Sequence, residues 1–136
     1  MLHRLALVFA LSLLAPAASA DAPEFTLTLE TPQLREGAPG TLSLTFTPEA
    51  PWHWNSEYPA KLKFTPAPGV QVAKASLAAL SGDLEAVGPA QRARFALTGE
   101  PAAGTTVLGQ VAGKIGLCND RTCITRKVEL TVTAPR

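Results

Sequence analysis

The chain has 136 residues, with twelve Lys+Arg against eleven Asp+Glu, 6% aromatic residues and two cysteines. That length allows one domain, and the balance of charge argues against a nucleic-acid binder held by phosphate contacts. Two cysteines make neither a disulfide-dense scaffold nor a four-cysteine zinc site. Two histidines, His3 and His53, leave little for a metal centre or a catalytic triad, so no metal and no cofactor are expected.

Residues 1–20 read as a secretory signal peptide. Arg4 supplies a positive charge, Leu5 to Leu14 is apolar apart from Ser12, and Ala18-Ser19-Ala20 is a small-x-small cleavage site. The apolar core is too short for a membrane anchor, so no membrane insertion is expected after cleavage. A single domain is then expected over 21–136, with Asp21 as the mature start. Removing Arg4 leaves eleven basic and eleven acidic residues, so no strong global field steers the protein. Export implies a periplasmic or secreted location, where two nearby cysteines tend to form a disulfide.

The mature part reads as all-β. Phe25-Thr26-Leu27-Thr28-Leu29 and Thr41 to Thr47 alternate apolar and polar. A turn-rich connection, Thr31 to Gly40, separates them. Further strands are expected at 61–65, 70–73, 92–97, 105–117 and 127–133, with prolines falling in the gaps. Ala73 to Val87 reads as a loop with one short element. The expected core includes Phe25, Leu27, Leu29, Leu42, Leu44, Phe46, Leu62, Phe64, Phe95, Leu97, Val107, Val111, Ile115, Leu117, Val128, Leu130 and Val132. Short strands at this spacing predict an immunoglobulin-like β-sandwich.

Pro51-Trp52-His53-Trp54-Asn55-Ser56-Glu57-Tyr58-Pro59 gathers both tryptophans, the only tyrosine and the only mature histidine. Alternation puts Trp52 and Trp54 on one face, and His53 and Asn55 on the other. One reading has a tryptophan filling the core while His53 caps a backbone group. The functional reading places His53, Asn55 or Tyr58 beside the cysteines. His53 with two cysteines would make a minimal soft-metal set for Cu(I).

Cys118-Asn119-Asp120-Arg121-Thr122-Cys123 lies between the two best-defined strands, and its four inner residues are turn chemistry. This predicts a β-hairpin with a cysteine at each end of its loop. If alternation persists to the turn, Cys118 lies opposite Leu117 and Ile115, and Cys123 opposite Val128, Leu130 and Val132. Both sulfurs then point away from the core, unless a bulge at the loop flips the faces. A closed segment this short stabilises by only about 2 kcal/mol. Arg121, with Lys114, Arg126 and Lys127 nearby, favours a thiolate, while Asp120 opposes it. A structural disulfide in a non-catalytic exported binding or scaffold domain is the competing reading.

Together these residues resemble a known family: the N-terminal periplasmic domain of the thiol:disulfide interchange protein DsbD, with related disulfide bond corrector domains. The likeness rests on Trp52-His53-Trp54-Asn55-Ser56 with Pro59, then an extended β segment, then the Cys118–Cys123 hairpin and a short final strand. The resemblance implies an immunoglobulin-like sandwich with a redox-active disulfide. It makes Cys118 and Cys123 the redox pair, with Cys123 forming the mixed disulfide and Cys118 resolving it. If enzymatic, such a chain is a component of thiol–disulfide oxidoreduction. The implied partners are a thioredoxin-like domain or membrane electron transporter supplied in trans, and periplasmic thiol–disulfide proteins. Two features depart from the family pattern. Ile124-Thr125-Arg126 stands where an apolar residue and Pro-Pro usually follow the second cysteine. The counterpart of the aromatic cap loop, about Ser81 to Val87, has Leu84 and Val87 but no aromatic residue.

Overall fold

A computed structural model describes residues 23–135. The expected signal segment and mature start lie outside the described residues. The chain folds as an all-β, immunoglobulin-like sandwich of two antiparallel sheets. Its strands are β1 (Phe25–Glu30), β2 (Gly40–Pro48), β3 (His53–Trp54), β4 (Lys61–Pro66), β5 (Val70–Val72), β6 (Ser76–Ala78), β7 (Leu84–Val87), β8 (Ala90–Gly99), β9 (Val107–Cys118) and β10 (Cys123–Thr133). One sheet runs β1-β2-β8-β5, with β7 also on β8. The other runs β10-β9-β4-β6, with β3 also on β9.

Period-two alternation explains the packing. Leu42, Leu44 and Phe46 of β2 face Ala93, Phe95 and Leu97 of β8 in the inner layer, all fully or almost fully buried. Leu62 and Phe64 of β4, with Val111 and Ile115 of β9, supply the opposing layer. Phe64 meets Phe95 across the sandwich at 5.5 Å between ring centroids. Each fully buried Phe or Leu contributes about 1.5–3 kcal/mol. The summed core therefore outweighs the disulfide as the source of stability.

Three expectations are corrected. Residues 73–87 do not form a loop with one element. They hold β6, a 3-10 turn at Ala79–Ser81, and β7. Asp83 organises this stretch: its carboxylate accepts the Ala78 N–H at 2.9 Å and pairs with Lys74 at 2.6 Å. Leu29 is 41% exposed, not core, because it lies near the end of β1, an edge strand.

The third correction concerns the start of β9. Val132 pairs with Gly109, but Thr133 pairs with Val107, so Leu108 is an extra residue in a β-bulge. The bulge resets the faces: Leu108 is fully buried and Val107 only half-buried. A side chain at Gly109 would come within 2.5 Å of the Phe64 ring and the Thr65 carbonyl, so glycine alone fits there.

Candidate functional site

From Gly109 to Cys118 the register of β9 against β10 is unbroken and ends on the pair Cys118–Cys123. The only bulge lies at the far end of the hairpin, so alternation reaches the loop intact. The inner parity of β9 carries Val111, Ile115 and Leu117, all buried. Cys118 and Cys123 occupy the outer parity.

The two cysteines form a disulfide, with a Cα–Cα separation of 4.0 Å. The Asn119 N–H donates to the Thr122 carbonyl at 2.9 Å, making 119/122 the hydrogen-bonded pair. Cys118 and Cys123 therefore occupy a non-hydrogen-bonded position, the closer of the two antiparallel classes. The Asn119 side chain closes the loop from within. Its Oδ1 accepts the N–H groups of Arg121 and Thr122, each at 2.9 Å, as an Asx turn does. Arg121 and Asp120 are exposed at the tip.

The sulfur pair is asymmetric. Cys118 is only 9% exposed, while Cys123 is exposed. Outward parity thus did not make both cysteines accessible. Cys118 belongs to β9, flanked by β10 on one side and by β3 and β4 on the other. Cys123 begins β10, at the edge of the sheet.

The aromatic segment reaches the same place through β3. His53 is the register partner of Cys118, and Trp54 that of Leu117. Direct partners share a face, so His53 lies on the outer face with the disulfide and is exposed. Trp54 turns inward and meets Phe46 at 6.0 Å, so one tryptophan does enter the core. Trp52 stands just outside β3, its N–H donating to the Glu49 carbonyl at 2.8 Å. The Asn55 N–H donates to the Gly116 carbonyl at 2.9 Å, and its Oδ1 accepts the Glu57 N–H at 3.1 Å. This side-chain turn carries Tyr58 onto the outer face of β9. A Cβ at Gly116 would lie 2.6 Å from Cβ and Cγ of Tyr58. The missing side chain of Gly116 is therefore what lets Tyr58 settle there. Sequence reading named Tyr58 but missed Gly116, although a glycine inside a strongly patterned strand signals close approach.

Two expected contributors are placed elsewhere. Arg126 has inner parity and leaves the sheet edge to pair with Glu24 at 2.6 Å. That hydrogen bond holds the Glu24 carboxyl below the usual carboxylate range and raises Arg126. The stretch from Ser81 to Val87, expected as the counterpart of a cap loop, ends the 3-10 turn and forms β7, paired to β8 in the opposite sheet. Lys114 and Lys127 do lie on the disulfide face. They are register partners of each other, and Lys61 of β4 is the second partner of Lys114. Like charges directly opposite are unfavourable in a sheet. Among the described residues, no group of three or more His, Cys, Asp or Glu stands together as a metal set. No family model, no curated protein and no solved structure matches this chain.

Proposed function

We propose that the protein is a thiol–disulfide exchange module of an oxidising extracytoplasmic space, working through Cys118 and Cys123. The observation that carries this reading is the outward disulfide with one exposed and one buried sulfur-bearing residue. A bond needed only for stability has little to add beside this core, since its chain-entropy contribution is about 2 kcal/mol. The resemblance carried by Trp52 to Ser56, Pro59 and the Cys-x4-Cys hairpin supports the same reading.

The chemistry needs no cofactor. A donor thiolate attacks Sγ of Cys123, the S–S bond breaks, and Cys118 leaves as a thiolate that takes up a proton. A second donor thiol then attacks the mixed disulfide and releases Cys123, so the donor leaves as a disulfide and the pair is reduced by two electrons. In the forward half, the Cys123 thiolate attacks a substrate disulfide and expels one substrate thiol. Cys118 loses its proton and attacks Cys123, freeing the second thiol and restoring the bond. A thioredoxin-like domain or membrane transporter in trans fits the donor role, and periplasmic thiol–disulfide proteins fit the acceptor role. Arg121 and His53 flank this path from the loop tip and from β3.

The test is a redox titration of the purified protein against glutathione and against a thioredoxin-like dithiol. An exchange-competent pair equilibrates within minutes at a potential above about −300 mV. A lower potential, or no exchange over hours, would mark an inert bond in a binding or scaffold domain.

A further inference from the structure

The outer face of the β10-β9-β4 sheet holds a second feature besides the disulfide. Lys127, Lys114 and Lys61 form one cross-strand row, and Lys63 stands in the next row beside Ala112 and Glu129. All four lysines are exposed. Lys127 pairs with Glu129 at 2.9 Å. Among the described residues, Lys61, Lys63 and Lys114 join no ion pair. The opposite sheet differs: there Arg92 and Arg94 share Glu85, at 4.0 and 3.4 Å. The remaining carboxylates on the disulfide side, Glu57 and Asp120, sit in the two loops and not in the lysine row. Among these ion pairs, three cations are left without a carboxylate on the disulfide face, against two sharing one on the other. The row lies four residues along β9 from Cys118, about 14 Å at the rise of an extended strand.

We infer that this face docks a protein partner whose thiol-bearing segment carries acidic side chains about 14 Å from its reactive sulfur. The partner's sulfur would meet Cys123 while its carboxylates meet Lys61, Lys114 and Lys127. Only the register of that fit rests on exchange at the disulfide. Charge complementarity favours this occupant. A narrow row on a near-neutral chain matches a local cluster of carboxylates, whereas lipid or nucleic-acid adsorption draws on a larger excess of basic residues.

The probe is an extended fluorescent peptide with glutamates four to six residues from a cysteine, together with its glutamine twin. Versions with serine for cysteine report binding alone. At low salt the oxidised protein should bind the acidic serine peptide at least about fivefold tighter than its twin, the gap closing above about 0.15 M salt. The K61Q/K114Q/K127Q variant should lose the preference, and K61E/K114E/K127E should reverse it toward a lysine peptide. Equal binding of the twins, or no change in either variant, overturns the inference. So does lysine-dependent sedimentation with phosphatidylcholine–phosphatidylserine vesicles in place of peptide binding. With the cysteine peptides, exchange should run faster for the acidic one. Equal exchange rates also overturn the docking inference, while leaving exchange itself intact. Lysine-dependent binding with no exchange by any peptide has the opposite meaning: docking stands and the exchange reading fails.

Discussion

His53 and Cys118 are direct cross-strand partners, although 65 positions separate them in the chain. The contact exists because β3 lies on the flank of β9 that β4 leaves free, one strand end beyond Lys114. It brings His53, the one histidine among the described residues, onto the face of the disulfide. The site is thereby assembled from a hairpin and a distant two-residue strand.

Exchange is expected to run through Cys123. A Cys118→Ser chain keeps the exposed sulfur and should accumulate a stable mixed disulfide with glutathione, read as added mass under non-reducing conditions. A Cys123→Ser chain keeps the buried sulfur and should react with iodoacetamide at least about tenfold more slowly. Equal rates would remove the division of roles between the two.

The disulfide is expected to be dispensable for folding. Replacing both cysteines by serine should lower stability by about 2 kcal/mol, seen as a lower urea midpoint with a nearly unchanged slope. A loss above about 4 kcal/mol would exceed what closing so short a loop supplies and would mark the bond as structural.

Gly116→Val is expected to displace Tyr58. The new side chain has no room beneath the ring, and the overpacking should cost about 1–3 kcal/mol. Tyr58→Ala should relieve most of that loss in the double variant, because the two sites are in contact. Thermal melts of the four proteins check this. Additive losses would place Tyr58 elsewhere.

The Glu24–Arg126 pair ties the chain before β1 to β10. Its contribution should vanish in acid. The folded state holds the Glu24 carboxyl below its ordinary value because of the Arg126 hydrogen bond. Stability from this source is therefore complete above the unfolded value of about 4.5 and is lost as pH falls through the lowered folded one. The stability difference between wild type and Glu24→Gln should be constant at neutral pH and shrink below about pH 4.5. A difference that grows on acidification would contradict the pairing.

Much of the fold was legible because it is local. Alternation located β1, β2, β4 and β10, and the four turn residues between the cysteines fixed the hairpin and its outward parity. Failures arose where distant packing decides. Leu29 has the pattern of a core residue, but its strand runs along an edge. Leu108 is buried only because one extra residue in β9 resets the faces. Residues 73–87 carry no alternation of their own; β6 and β7 form because β4 and β8 offer them free edges. The pairing of His53 with Cys118, and the alignment of Lys61 with Lys114, depend on register between strands far apart in sequence. No spacing along the chain encodes that register.

The position of the bulge in β9 has a mechanical consequence. Beyond it, β9 is clamped on both flanks, by β10 along its length and by β4 and then β3. β10 has a strand neighbour on one flank only, and the Glu24–Arg126 pair is its other tie. The disulfide therefore joins a strand paired on both sides to the first residue of an edge strand. With the bond open, pairing would hold Cys118 from both flanks and Cys123 from one. In the exchange proposed above, the sulfur that attacks a partner lies on the edge strand, and the sulfur that resolves it lies on a strand paired on both sides.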